Sequence, residues 1–146
     1  MEDLDRQIVT LLASDGRMSF TDLGKATGLS TSAVHQRVKR LEQRGVIRGY
    51  TAVVDAEAVG LPLTAFISVT PLDPAAPDDI PDRLLGVPEI EACHSVAGVE
   101  NYILKVRVNK PGDLEALLAR IRALASVSTR TTVVLSTPYE ARPLPL

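Results

Sequence analysis

The stretch "GLSTSAVHQRVKRLEQRGV", residues 28–46, decides how the N-terminal part of the chain is interpreted. Its apolar residues recur at helical spacing and are predicted to face a core: Val34, Val38 and Leu41. Its polar residues project from a different side of the same helix: Ser32, Gln36, Lys39 and Gln43. Residues 30–50 hold five cations and one anion, although the whole chain has a net charge of −2. The sequence therefore predicts a helix with a locally cationic exposed side.

Two shorter helices are predicted before this one. An apolar stripe indicates the first, over residues 5–14: Leu4, Ile8, Leu11 and Leu12. Ser19 is suited to cap the second helix, which Thr27-Gly28 ends, and Ser30 is suited to cap the third, which Gly45 ends. Three short helices with a tight glycine-containing turn between the second and third describe a helix-turn-helix. The second element of that motif enters the major groove N-terminus first.

The cationic helix has two interpretations. A surface helix that carries Lys and Arg is often simply solvated. Alternatively, its cations neutralise phosphates, while Gln, Ser and Thr at the helix start reach base edges and the helix N-terminus favours a phosphate. The helix-turn-helix spacing favours the second interpretation, which is DNA binding.

Charge and proline divide the chain at nearly the same place. Residues 1–50 have a charge balance of +2 and residues 51–146 one of −4, and all ten prolines lie at Pro62 or later. Because proline is costly inside helices, we predict a helical domain over residues 1–50 and a strand-containing domain over residues 62–146. The apolar residues after Gly45 predict a linker strand over residues 51–61. Whether it pairs with its counterpart in another subunit stays open.

Strands and helices alternate in the second domain. "LPLTAFISVT" alternates apolar and polar residues as a half-buried strand does, and a short helix follows near residues 79–85. "EIEACHSVA" and "NYILKVRV" are predicted strands on either side of Gly98. Pro111 opens a helix with an apolar stripe, and "TRTTVVLST" is the last strand. The order βαββαβ predicts a ferredoxin-like unit and an α+β protein.

Helices on one side of such a sheet leave its other face open. Apolar residues are predicted to project from that face: Phe66, Ile103 and Val134. An apolar sheet face in water usually finds a partner, so we expect a homodimer.

Several other classes of protein are not expected. No apolar run approaches the roughly 18 residues of a membrane span and the N-terminus is acidic, so we expect a cytoplasmic protein without membrane contact. Cys93 and His94 are adjacent on a predicted strand and leave on opposite faces, so they cannot converge on one metal or substrate. With two histidines and one cysteine in the chain, we expect no metal site, no cofactor and no catalytic residues.

Two stretches resemble the Lrp/AsnC family, the feast-or-famine transcriptional regulators. They are "LDRQIVTLLASDGRMSFTDLGKATGLSTSAVHQRVKRLEQRGVIRGYTAVVD" and the later "GVENYILKVRV", and the likeness covers essentially the whole chain. The resemblance implies a winged-helix-like helix-turn-helix that binds double-stranded DNA. It also implies a C-terminal unit that forms dimers, commonly assembling into tetramers or octamers, and that binds small effectors, typically amino acids.

The same resemblance implies a set of DNA contacts: Ser30, Thr31, Ser32, Gln36, Arg37, Lys39 and Arg40. Arg37 has two interpretations because it lies beside Val38, which is predicted to be buried. Its side chain either reaches a phosphate from the helix edge or braces the domain through an acidic neighbour such as Asp5.

An effector site is predicted at one turn: Gly98, Val99, Glu100, Asn101 and Tyr102. Its backbone N–H groups suit a carboxylate, and an acidic neighbour suits an α-ammonium group. Similar proteins usually have an acidic residue where Asn101 stands, so either Glu100 supplies the charge or the ligand differs. A plain hairpin turn is the other interpretation. By resemblance, three residues of the last strand lie near the effector or a subunit contact, with sheet core as the alternative: Thr132, Val133 and Val134.

The sequence thus predicts a sequence-specific DNA-binding transcriptional regulator whose assembly or DNA binding responds to a small effector. The alternative is an oligomeric small-molecule-binding or architectural protein with weak, non-specific DNA binding. Two helix-turn-helix units in a dimer would read half-sites roughly 34 Å apart.

Overall fold

A computed structural model describes residues 1–146 and divides the chain into two compact units. The first unit holds Met1–Val53 together with Pro138–Leu146, and the second holds Val54–Thr137. The C-terminal segment therefore differs from the sequence-based division, which placed it with the strands. It contains three prolines and no strand, and its last residue, Leu146, lines a cavity with Leu4 and Leu11 of the first helix.

The first unit is built from three helices: α1 (Asp3–Ser14), α2 (Phe20–Thr27) and α3 (Thr31–Gln43). Both predicted N-caps are confirmed, because the Ser19 hydroxyl accepts from the Asp22 N–H at 3.0 Å and the Ser30 hydroxyl accepts from the Ala33 N–H at 3.2 Å. The core of the unit consists of aliphatic side chains from all three helices: Ile8, Leu12, Leu23, Val34, Val38 and Leu41. α1 starts two residues before the predicted position, with Asp3 in its first turn, where a carboxylate complements the helix dipole.

The turn between α2 and α3 depends on two glycines. Gly28 ends α2 in the left-handed conformation, with φ at 73°. Gly24 is buried inside α2, and a Cβ placed on it would lie only 2.6 Å from the carbonyl oxygen of Leu29. The Leu29 N–H also donates to the Gly24 carbonyl at 3.0 Å. The chain therefore folds back against the bare face of Gly24, a residue that the sequence analysis did not single out.

The predicted linker strand does not form within a single copy of the chain. After α3 the N–H groups of Val46 and Ile47 donate back to the Leu41 carbonyl, at 2.9 and 3.2 Å, and residues 51–61 contain no strand. A strand needs a backbone edge to pair with, and no strand of this chain pairs with the segment. The Asp55 carboxylate instead accepts from the Glu57 N–H at 3.0 Å, which forms a local turn.

The second unit confirms the predicted βαββαβ order and the α+β class. Its elements are β1 (Leu63–Pro71), α4 (Ile80–Leu84), β2 (Ile90–Ser95), β3 (Tyr102–Val108), α5 (Pro111–Ala125) and β4 (Val127–Val133). The four strands form one antiparallel sheet in the order β2-β3-β1-β4. None of the helices in either unit combines the length and apolarity that a bilayer crossing requires.

Alternate residues of β1 separate the two faces of the sheet. Ala65, Ile67 and Val69 are fully buried and join the core that includes Leu117 and Ile121 of α5. The other face carries Phe66, which is 39% exposed, and the half-buried Ile103 and Val134, as predicted.

The open face is more polar than the sequence predicted. Glu91, at a bulge in β2, lies 2.6 Å from the Arg107 guanidinium and 3.5 Å from the Lys105 ammonium. Arg107 also donates to the Thr64 hydroxyl at 3.0 Å. Phe66 pairs across the sheet with Lys105, so apolar and charged groups alternate on this face.

Candidate nucleic-acid interface and effector turn

The outward side of α3 is an exposed polar surface over an apolar base. Val34, Val38 and Leu41 are no more than 1% exposed and fix which side of the helix faces inward. Most of the predicted DNA contacts are exposed on the opposite side or at the helix start: Ser30, Thr31, Ser32, Gln36, Lys39 and Arg40. The predicted orientation of the helix is therefore confirmed.

The N-terminus of α3 is suited to an anion. The Ser30 hydroxyl is occupied as the helix cap and lies 3.2 Å from the Ser32 hydroxyl. The N–H groups of Thr31 and Ser32, in the first turn, have no acceptor within the helix. Unpaired N–H groups and the helix dipole together favour a phosphate at this end.

Arg37 faces α1 and not the outward surface. One of its guanidinium nitrogens, Nη1, lies 2.8 Å from the Asp5 carboxylate and 2.9 Å from the Glu2 carboxylate. Hydrogen bonds to Glu2 and then to Asp5 raise the pKa of the Arg37 guanidinium above its ordinary value. Of the two interpretations of Arg37, the structure supports the brace, because the guanidinium is already bound to two carboxylates.

The opposite flank of α3 contacts α2. The His35 ring lies against the Phe20 ring with a centroid distance of 5.3 Å and a tilt of 58°. α3 is thus held on one flank by Arg37, on the other by His35, and underneath by its aliphatic residues. Only the outward side is left for a ligand.

The predicted effector turn joins β2 to β3. Val99 is 91% exposed, and Gly98 does not adopt a left-handed conformation. The Asn101 N–H donates to the Val69 carbonyl at 3.1 Å, whereas those of Gly98, Val99 and Glu100 donate to no group of the chain. Three N–H groups are therefore available to a carboxylate, although the glycine is not needed for the backbone conformation.

Tyr102 is not available to an effector, which corrects the prediction. It is 4% exposed on the helix-covered face of the sheet, and its hydroxyl donates to the Asp78 carboxylate. The inward position follows from strand alternation, since Tyr102 begins β3 and shares a face with Leu104 and Val106. The hydrogen bond to Asp78, together with burial, raises the pKa of Tyr102 to about 12.

This tyrosine gives the protein a pH-dependent contribution to stability. Because the folded protein disfavours the Tyr102 phenolate, the contribution is complete below pH 10, the ordinary tyrosine pKa, and is lost as pH rises towards 12. We expect one tyrosine to ionise near pH 12 when tyrosinate absorbance is followed during an alkaline titration. The Asp78→Asn variant should move that ionisation to lower pH, and an unchanged titration would contradict the contact.

The residues from the last strand lie apart from the effector turn. Val69, beside the turn, pairs with Thr129, whereas Thr132 pairs with Phe66, three residues further along β4. That separation is roughly 10 Å within one chain. Thr132 and Val133 are exposed, and only Val134 is half-buried. Because of the separation along the sheet, one copy of the chain does not bring these three residues next to the effector turn.

The helical unit with an exposed cationic helix defines a helix-turn-helix protein, here joined to a separate sheet domain. Residues 1–42 match the AsnC-type helix-turn-helix domain, and residues 64–144 match the Lrp/AsnC ligand binding domain. The chain belongs to the Lrp/AsnC family, which confirms the resemblance inferred from its sequence.

Named relatives and solved structures agree with this assignment. The HTH-type transcriptional regulator LrpA of Mycobacterium tuberculosis is 52% identical over 97% of this chain and 95% of its own. A feast or famine regulatory protein from M. tuberculosis, solved in complex with L-methionine, matches at 52% identity with a TM-score of 0.96, covering 98% of this chain and 97% of its own. A transcriptional regulator from Neisseria meningitidis, also solved with L-methionine, matches at 25% identity and a TM-score of 0.91 over 99% of this chain and 96% of its own.

Proposed function

We propose that this protein is a DNA-binding transcriptional regulator whose activity responds to an amino acid. The observation that carries the proposal is the outward side of α3, where exposed hydroxyl, amide and cationic side chains stand over a fully buried aliphatic base. The names of its relatives and the two L-methionine complexes support the proposal. Regulation of this kind requires no catalytic step, so we propose no enzymatic activity.

The outward side of α3 divides into two kinds of contact. Ser32 and Gln36 have the hydrogen-bonding groups to read base edges in the major groove. Lys39 and Arg40 carry the charge for phosphates, and the helix N-terminus at Ser30 and Thr31 offers N–H groups to another phosphate. We propose that Arg37 braces the domain and makes no direct contact with DNA, because its guanidinium is bound to Asp5 and Glu2.

We propose a homodimer as the unit that binds DNA, with further assembly into tetramers or octamers. The open sheet face, with Phe66 partly exposed, favours association through the second unit. Two copies of α3 would then read half-sites roughly 34 Å apart in an imperfect palindrome. We assign residues 1–50 to the DNA-binding domain and residues 62–137 to effector binding and oligomerisation. Because a transcriptional regulator acts on chromosomal DNA, we propose that the protein resides in the cytoplasm.

Salt dependence tests the DNA proposal. The probe is a duplex selected by the purified protein from a random-sequence pool, and binding is followed by fluorescence anisotropy. If Lys39 and Arg40 of two copies neutralise four phosphates, affinity should fall roughly a hundredfold between 50 and 200 mM salt. A flat response, or a failure to select any sequence, would refute sequence-specific DNA binding.

An effector carboxylate is proposed to bind the free N–H groups of Gly98, Val99 and Glu100. The α-ammonium group then lies near Glu100 or Asn101. We propose that the site is completed where a neighbouring copy contributes Thr132–Val134, since in one chain the offset along β4 alone keeps these residues at least roughly 10 Å from the turn. The effector alters regulation only if its affinity differs between two assemblies.

Asn101→Asp is expected to strengthen effector binding about tenfold. A carboxylate forms a stronger hydrogen bond to an ammonium group than an amide oxygen does, by about 1–2 kcal/mol. Isothermal titration calorimetry with L-methionine and then with the other nineteen amino acids measures the change, and Glu100→Gln tests the other candidate acid. Heat from none of the amino acids in either protein would refute the effector proposal and leave oligomerisation as the role of the second unit.

A further inference from the structure

We propose that Arg37 is a positioning residue that fixes the rotation of α3 and thereby sets which bases the protein recognises. The inference rests on the proposed DNA-binding function and adds a specificity role for a residue that does not contact DNA. It assigns that role to a cluster of three side chains at the junction of α1 and α3: Glu2, Asp5 and Arg37.

The cluster joins elements that are distant in sequence. Arg37 lies in the middle of α3, and Asp5 lies in the first turn of α1, 32 positions earlier. Their side chains are 19% and 10% exposed, so the pair is largely removed from solvent, whereas Glu2 covers it from the outside with 69% exposure. An ion pair in this setting is held in one geometry more strictly than an exposed one.

The cluster restrains the rotation of α3 about its own axis, whereas the aliphatic core does not. The aliphatic contacts of Val34, Val38 and Leu41 hold α3 against the unit but are non-directional. A guanidinium hydrogen-bonded to carboxylates is directional, because its N–H groups point along fixed lines. The Phe20–His35 ring contact limits the opposite flank of the helix. The ion pairs of Arg37 on one flank and the Phe20–His35 contact on the other therefore hold α3 in one rotation about its axis.

Small rotations of α3 have large effects at its surface. With side chains, a helix has a radius of about 5–6 Å, so turning it by about 20° moves an outward side chain by roughly 2 Å. Hydrogen-bond distances to base edges vary by only a few tenths of an ångström. Loss of the brace should therefore misalign Gln36 and Ser32 with the bases, while flexible Lys39 and Arg40 still reach phosphates.

This mechanism has a distinctive signature. Arg37 is already compensated by two carboxylates, so removing it leaves the number of phosphate contacts, and hence the salt slope of binding, unchanged. What should fall is the ratio of affinity for the selected duplex to affinity for random duplex. A direct phosphate contact predicts the opposite pattern, a slope reduced by about one per copy with the ratio preserved.

The experiment compares Arg37→Gln, Asp5→Asn and the double variant with the unmutated protein and with Arg17→Gln, an exposed charge outside the cluster. Anisotropy gives both affinities and the salt slope at a temperature where circular dichroism shows each protein folded. We expect each single variant to lose at least tenfold in the ratio, and the double variant to lose no more than either single one. Arg17→Gln should keep the ratio.

Several outcomes would overturn the inference. They are an unchanged ratio in folded Arg37→Gln, a reduced salt slope with a preserved ratio, and independent losses that multiply in the double variant. If the glutamine variant does not fold, Arg37→Lys replaces it, because lysine keeps the charge without the guanidinium geometry. We expect Arg37→Lys to lower the ratio of selected to random affinity, but by less than Arg37→Gln would. If the unmutated protein prefers no sequence, the proposed function fails instead, so the two failures are distinguishable.

Discussion

A protein that carries both Gln36→Ala and Lys39→Ala is expected to bind its selected duplex roughly a hundredfold more weakly than the unmutated protein. Loss of the Gln36 base contact costs about 1–3 kcal/mol, and loss of the Lys39 phosphate contact adds to this at low salt. Both side chains are exposed on α3, and alanine is the best helix former, so the helix itself should remain folded. Fluorescence anisotropy with selected and random duplexes measures both parts of the loss.

The two substitutions should have different effects on DNA affinity and on its salt dependence. Gln36→Ala alone is expected to weaken binding to the selected duplex only, whereas Lys39→Ala should weaken binding to both duplexes and lower the salt slope by about one per copy. A matched control is Gln7→Ala with Lys110→Ala, which removes the same residue types from exposed positions outside α3. If the control loses as much affinity as the α3 variant, the outward side of α3 is not the DNA-binding surface.

The helices and strands were predictable because their signals are local. Val34, Val38 and Leu41 repeat at the helical period, and the structure buries all three. Ser19 and Ser30 stand directly before apolar helical residues, and both cap a helix. Alternation in β1 correctly separated its buried and open faces.

The sequence did not decide the structure where the outcome depends on distant parts of the chain or on a pairing partner. The linker segment over residues 51–61 has strand-like composition, but a strand forms only beside a pairing edge. Tyr102 looked like part of the effector turn, yet its first position in β3 turns it into the core, towards Asp78. The alternatives for Arg37 could not be separated by sequence, because spacing gives no distance to Asp5.

The candidate effector site was predictable only in part. The turn itself lies where the pattern placed it, and three of its N–H groups are unpaired. Its distance from Thr132–Val134 could not be deduced, because it depends on the register between β1 and β4. Strand register is set by pairing across the sheet, and a sequence without its partners does not contain that information.

Gly24 is a glycine inside a helix, a sequence feature that predicts a close contact. Glycine inside a helix costs about 1 kcal/mol relative to alanine, so a glycine there usually has a packing reason. Here the reason is the close approach of the Leu29 carbonyl, which lies 2.6 Å from the position a Cβ would take. The angle between α2 and α3 therefore depends on the absence of one methyl group.

Gly24→Ala is accordingly expected to destabilise the helical unit and to abolish specific DNA binding. The gain in helix propensity is about 1 kcal/mol, but the added methyl group meets a backbone oxygen, and overpacking of this kind costs about 1–3 kcal/mol. The obstacle is not a flexible side chain, so the turn between the helices must open. We expect a melting temperature lower by on the order of 5 °C, measured by circular dichroism, and loss of preference for the selected duplex.

Gly16→Ala is the matched control for this substitution. A Cβ at Gly16 would lie 3.8 Å from its nearest neighbours, and its φ is not positive, so alanine fits there without strain. It should leave DNA binding unchanged and raise stability slightly, by about 0.4–1 kcal/mol, through a less flexible unfolded chain. If Gly24→Ala were as stable as Gly16→Ala and still bound the selected duplex, the helix-turn-helix would not depend on the close contact at Gly24. The Leu29 carbonyl oxygen would then have to move away from the added Cβ, beyond the 2.6 Å of the present geometry, at little cost in free energy.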